Sequence, residues 1–195
     1  MRRIFILSLM FLSLIFTSLA IISPIKINNN IVKAANRNLV GTKASEWQVA
    51  GWLNSSPIEL KNLSGKVVLV RWWTAGCPFC SATAPSLNEF YQDFHSRGLE
   101  VIGFYHHKSS EPFKKQDVYN YSQKLGFKFP IAIDYRWQTL KSWWLNNTDE
   151  DWTSVSFLID RQGIIRHIHP GGQYVKGEKD YQVMREKIVE LLKEK

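Results

Sequence analysis

From Val67 to Trp73 the chain is a run of β-branched and aromatic residues broken by one charge, Arg71. A run with no polar face reads as a buried central strand. Upstream, "IELKNLS" carries a second, shorter strand pattern, and Ser64-Gly65 supplies a turn between the two. Downstream, Leu87, Phe90, Tyr91 and Phe94 recur at helical spacing, which predicts a helix over residues 78–97 closed by Gly98. Pro85 falls inside that helix and should kink it. A second strand is expected over 99–107 and a second helix over 113–125, closed by Gly126. Residues 129–135 are short and apolar, and 137–145 has a helical pattern. "VSFLIDRQGIIRHIH" reads as a hairpin, with strands at 155–160 and 164–169 around a turn at 161–163. Tyr181, Met184, Ile188 and Leu191 share one face of a closing helix over 178–193. The order is βαβα, a further α, a β-hairpin, and α. A right-handed crossover makes the first two strands parallel, and the hairpin adds antiparallel ones. The fold class expected is α/β, a mixed sheet with helices on both faces.

The first segment has a different pattern. "MRRIFILSLMFLSLIFTSLAIIS" has two arginines and then an unbroken apolar and small-residue run, the n-region and h-region of a secretory signal. Val32-Lys33-Ala34 offers a cleavage site, and Ser18-Leu19-Ala20 a second one. The run is roughly twenty residues, enough to cross a bilayer, so a retained anchor through residues 4–23 is the alternative to cleavage. Residues 1–34 are therefore assigned as signal peptide or membrane anchor, 35–40 as linker and 41–195 as the folded domain. Either way the domain is expected to work outside the cytoplasm, secreted or held at the cell envelope.

Composition adds little to that picture except by exclusion. Hydrophobic residues make up 45% and charged residues 22% of the 195, the profile of a globular domain. Net charge is +8, of which Arg2, Arg3, Lys26 and Lys33 supply four, leaving a mild +4 for the rest. No basic run is interleaved with aromatics, so nucleic acid is not an expected partner. Trp137, Trp143, Trp144 and Trp152 crowd one segment, and core packing is the expected role, with a hydrophobic rim for a protein partner as the alternative. "HPGG" at 169–172 reads as a turn.

The chemistry concentrates in the only two cysteines, Cys77 and Cys80. A strand ends at Trp73 and a helix starts near Pro78, which places Cys77 at a helix N-terminus. Proline suits a first turn because its missing N–H is not needed there. Free N–H groups and the positive end of the dipole favour thiolate over thiol. Cys77 is then the acidic, exposed sulfur, and Cys80 the covered one, spaced to attack a mixed disulfide on Cys77. A loop this short gains little as a structural staple. A metal site needs about four ligands, and one CxxC supplies two. His106, His107, His167 and His169 could complete such a set, but each lies on or beside a strand and reads as an ordinary histidine.

At these residues the chain resembles the thioredoxin superfamily, in its extracytoplasmic TlpA-like branch. "GKVVLVRWWTAGCPFC" resembles that branch's strand and W-x-x-x-C-x-x-C, and "FLIDRQGIIRHIHPGG" resembles its late hairpin. The resemblance implies a thioredoxin-like fold from about Gly41 onward. It also implies thiol–disulfide exchange with protein thiols or disulfides, Cys77 as nucleophile and Cys80 as resolving thiol. Trp73, Pro78 and Phe79 would shape the rim, and Ser154 and Val155 would bind the partner backbone. Three positions depart from the family. Ser154 stands where the family has a cis-proline, and its peptide is expected to be trans. Arg71 stands where thioredoxins often carry a buried acid. It either points at the sulfurs and tunes their pKa, or points away as an edge of the strand. Thr83 stands where some members have a glutamate.

The expected function is an extracytoplasmic thiol–disulfide oxidoreductase, working as a reductase, monomeric and without cofactor. A thiol peroxidase of peroxiredoxin type is the alternative. Thr74 lies three residues before Cys77 as that family's threonine does, but Val70 stands where its proline would be. An alternative of another class is a copper or zinc metallochaperone.

Overall fold

The computed structural model describes residues 39–194, so the expected signal or anchor segment lies outside the described residues. The strands are β1 (Trp52–Leu53), β2 (Val67–Trp73), β3 (Leu99–Tyr105), β4 (Ile131–Ile133), β5 (Ser156–Ile159) and β6 (Ile165–His169). The helices are α1 (Pro78–Phe94), α2 (Lys115–Lys124), α3 (Gln138–Leu140, continued as a π-helical turn over Lys141–Leu145) and α4 (Lys179–Lys193). They form one six-stranded sheet in the order β1-β4-β3-β2-β5-β6. β2, β3 and β4 run parallel, while β1, β5 and β6 are antiparallel to their neighbours. This is the thioredoxin-like arrangement, a mixed sheet covered on both faces.

The period of two along β2 assigns its side chains to two cores. Val67, Leu69 and Trp73 join Leu87, Phe90 and Phe94 of α1, Val118 of α2, and Tyr181, Met184, Ile188 and Leu191 of α4. Val68, Val70 and Trp72 join Leu140, Trp143 and Trp144 of the α3 segment, with Trp47, Trp52 and Leu63. Buried Asp134 ties α3 to the sheet. Its carboxylate accepts from the Trp72 indole at 3.1 Å and from the N–H groups of Thr139 and Leu140 at 3.1 and 2.8 Å.

Three elements differ from the sequence pattern. Residues 58–63 form no strand; Leu60–Leu63 is a 3-10 turn. The Glu46 carboxylate takes the N–H groups of Leu60 and Lys61 at 2.9 and 2.8 Å, bonds that a ladder would otherwise need. Leu60 and Leu63, three apart, both turn into the core, which is the 3-10 period rather than the strand period. Second, the apolar segment before Asp134 is a third parallel strand, β4, paired to β3 at Gly103↔Ile131. Third, α1 ends at Phe94 and a 3-10 turn carries the chain on to Arg97 before Gly98, at φ 101°.

Candidate active site

β2 and β3 end side by side, with Trp73 opposite Tyr105. Gly76, at φ 76°, then turns the chain into α1, a conformation other residues resist. Cys77 is the N-cap of α1 and Pro78 follows in its first turn. The two cysteines are joined as a disulfide, and Cys77 Sγ accepts the Cys80 N–H at 3.2 Å. That bond is the helix start acting on the sulfur, and it strengthens when the sulfur is an anion. Cys77 is half-buried, whereas Cys80 is 2% exposed and packs in the core with Trp73 and Ala84. The outer sulfur is thus the one that both the helix start and solvent reach.

The sulfurs open onto a cleft of about 500 Å³. One wall is residues 74–80. The other comprises His106, Lys108, Asp151, Trp152, Thr153 and Ser154. Of the expected site residues, Cys77, Cys80, Pro78, Phe79 and Ser154 meet there. Trp73, expected at the rim, is 1% exposed and instead packs against Tyr105, Tyr121 and Phe127 beneath the dithiol. Val155 is also buried, its carbonyl accepting the Trp72 N–H at 3.0 Å. The peptide before Ser154 is trans, as are all those described.

Arg71 takes the second course expected of it and points away, though from a fully buried position, and none of its hydrogen bonds reaches a sulfur. Nη2 donates to the Gly172 carbonyl at 2.6 Å, Nη1 to Ser156 Oγ at 3.3 Å, and the guanidinium lies 5.3 Å from the centre of the Tyr174 ring. Its partners are a carbonyl, a hydroxyl and a ring, none an acid, and burial lowers its pKa while Tyr174 opposes. Thr83, in place of a glutamate, donates to the Phe79 carbonyl and accepts the Tyr174 N–H.

His106, Lys108, Asp151 and Thr153 line the cleft but were not among the expected site residues, and Trp152 was expected there only as the alternative. His106, read as ordinary, is completely buried beside the dithiol. Its Nε2 bonds Thr153 Oγ1 at 3.0 Å, and its Nδ1 has no partner among the described residues. Burial pushes the imidazole down to about 3; Lys108 and Arg71 add to this and the Trp73 backbone opposes it. The signal available was positional: parallel strands carry sites at their carboxyl ends, and His106 follows β3. Trp152, for which core packing was expected and a hydrophobic rim was the alternative, is 45% exposed. Trp143 and Trp144 are core, but Trp152 faces Phe79 across the cleft at 5.6 Å.

His107 and His169 are engaged elsewhere. His107 bonds the Tyr105 hydroxyl and the Glu111 carbonyl, and His169 bonds Asp180 at 3.2 Å. Among the described residues no three His, Cys, Asp or Glu side chains gather as a metal site. Also among them, no helix is long and apolar enough to cross a membrane.

A family model described as the AhpC/TSA family matches residues 40–168. The chain belongs to that family. Protein DipZ of Mycobacterium bovis is 35% identical over 164 residues, 82% of this chain and 22% of DipZ. Thiol-disulfide oxidoreductase ResA of Bacillus anthracis is 30% identical over 124 residues, 64% of this chain and 65% of ResA. The chain thus spans about a fifth of DipZ and just under two thirds of that ResA. Among solved structures, a putative thiol:disulfide interchange protein DsbE from Chlorobium tepidum superposes with a TM-score of 0.65 at 22% identity, covering 78% of this chain and 97% of that one. At that identity the likeness shows the fold. That fold is thioredoxin-like, with the CxxC at its strand-to-helix turn, and the family model and the ResA likeness agree with the resemblance to the TlpA-like branch of the thioredoxin superfamily.

Proposed function

We propose that the chain is a thiol–disulfide oxidoreductase that reduces a disulfide in a protein partner outside the cytoplasm. The observation that carries this is the pairing of Cys77 and Cys80 across the first turn of α1, one sulfur at the cleft and the other covered. The Cys77 thiolate attacks one sulfur of the partner's disulfide. That S–S bond breaks, and the other partner sulfur leaves as thiolate and takes a proton from water. Cys80 then loses its proton and attacks the Cys77 sulfur, which breaks the mixed disulfide and releases the second partner thiolate. Two electrons pass to the partner, whose second thiolate takes up through water the proton that Cys80 released, and the chain is left with the Cys77–Cys80 disulfide. The partner backbone lies along Pro78, Phe79 and Ser154, while Trp73 and Val155 support those residues from beneath. ResA's name supports the activity, and the apolar N-terminal run supports the location. The decisive experiment is trapping in cells with a Cys80→Ala chain. A covalent adduct through Cys77, cleared by dithiothreitol and recovered from the extracytoplasmic fraction, is expected. An unmodified Cys77 in cells that reoxidise the wild-type chain contradicts the exchange.

A second reading, a thiol peroxidase, has one observation in its favour: Thr74 lines the cleft three residues before Cys77. Val70, where that reading needs proline, is a fully buried residue of β2. Hydrogen peroxide consumption by a Cys80→Ser chain tests it.

A further inference from the structure

Large apolar side chains exposed among the described residues are Val40, Phe79, Tyr119 and Trp152. Phe79 and Trp152 meet edge to face over the dithiol cleft. Phe79 is held there by α1. Trp152 belongs to a loop, and an indole on a loop would ordinarily turn or fold down.

Several groups from elsewhere in the chain hold it. Its carbonyl accepts the buried Trp144 indole N–H at 2.9 Å. The next residue, Thr153, is bonded to buried His106. Its side chain rests on Gly171 so closely that a Cβ there would lie 2.6 Å from Trp152 Cβ and 2.8 Å from Cγ. Only glycine leaves that room. Gly172, in turn, is fixed by the 2.6 Å bond from buried Arg71 to its carbonyl. The "HPGG" turn is therefore the bed of an exposed tryptophan, and a buried arginine holds the bed.

We propose that Phe79 and Trp152 form an aromatic clamp that takes a large apolar side chain beside the partner's reacting cysteine, with Gly171 and Arg71 as its positioning residues. This rests on the exchange reading above and adds the class of segment that reaches the dithiol. The clamp is continuous with Cys77, so whatever lies in it lies next to the attacked sulfur. Lys108 and Asp151, of opposite sign, flank the same cleft, which favours a segment of no net charge over an acidic or basic one. The ring edges and faces suit an aromatic or branched aliphatic side chain.

The test uses two homodimeric disulfide peptides, one with phenylalanine on both sides of its cysteine and one with serine there. The full chain is reduced, freed of reductant and mixed with each, and its oxidation is followed by stopped flow. Wild type is expected to reduce the phenylalanine peptide about tenfold faster, the scale of one ring seated against two others. Trp152→Ala should bring the two rates within about twofold of each other, with the pH profile of Cys77 alkylation unchanged. Gly171→Val, which displaces the indole without removing it, should do the same. Equal rates in wild type, or a preference that survives Trp152→Ala, would overturn the clamp while leaving exchange intact. A wild-type chain that oxidises with neither peptide contradicts exchange itself. Dimerisation that Trp152→Ala abolishes, seen by sedimentation velocity, would seat a second copy of the chain in the clamp and overturn the assignment to a partner segment.

Discussion

One wall of the dithiol cleft is a single stretch of chain, residues 74–80, and the other is gathered from His106, residues 151–154 and the Gly171–Gly172 turn that supports them. The near wall needs only a strand end, a glycine at positive φ and a helix start, so its geometry is local and follows from a few adjacent residues. The far wall depends on sheet register. Ser156 pairs with both Arg71 and His169, and this row brings the turn after β6 under the loop before β5. The consequence is a division of labour. The dithiol sits where local geometry sets its position. The surface proposed to recognise the partner sits where long-range contacts assemble it.

Substitutions at the cysteines test the near wall and have the largest expected effect. Cys77→Ala should leave no exchange above the spontaneous thiol background in an insulin reduction assay, whereas Cys80→Ala should stall as a mixed disulfide. Normal turnover by the Cys80 variant would show that the walls do not share a two-step reaction.

Next comes His106, the buried pivot of the far wall. Its folded pKa of about 3 lies below the 6.5 of an unfolded histidine. The unfolded chain therefore binds the extra proton first as pH falls. This contribution to stability is intact above pH ~6.5 and is lost progressively toward pH ~3, reaching about 3 kcal/mol by pH ~4. In urea titrations the wild type should lose about 3 kcal/mol more stability than His106→Phe between pH ~7 and pH ~4, because the variant lacks this loss. Parallel pH curves would mean that the histidine does not resist protonation.

A smaller effect is expected from Trp144→Phe, which keeps an aromatic side chain but removes the pyrrole ring with its N–H donor to the Trp152 carbonyl. The loss should be about 1 kcal/mol of stability. Cys77 alkylation should be unchanged, since only the far wall loosens. A changed alkylation rate would couple the two walls more tightly than their hydrogen bonds indicate.

The smallest effect is at the sulfur itself. Arg71 points at Gly172, yet its charge still acts at a distance, as it does on His106. Arg71→Met should slow Cys77 alkylation near neutral pH only slightly, far less than loss of a directly bonded arginine would. A large drop in alkylation rate would return Arg71 to the near wall.

The sequence by itself determined the parts of this protein that rest on local order. The fully buried β2 was legible because every residue but one is apolar, and the active cysteine pair because a helix must start after that strand. The closing helix was legible from Tyr181, Met184, Ile188 and Leu191, all buried as their spacing requires. Tertiary structure alone decided which way Arg71 turned, because strand pattern sets the face a side chain leaves from but not the carbonyl it finds. It also decided that Trp144 is core and Trp152 surface, although both sit in one tryptophan-rich stretch. Composition cannot separate them. The difference comes from a π-helical turn that directs Trp144 inward, and from a glycine nineteen residues beyond Trp152 that leaves room for its indole at the cleft.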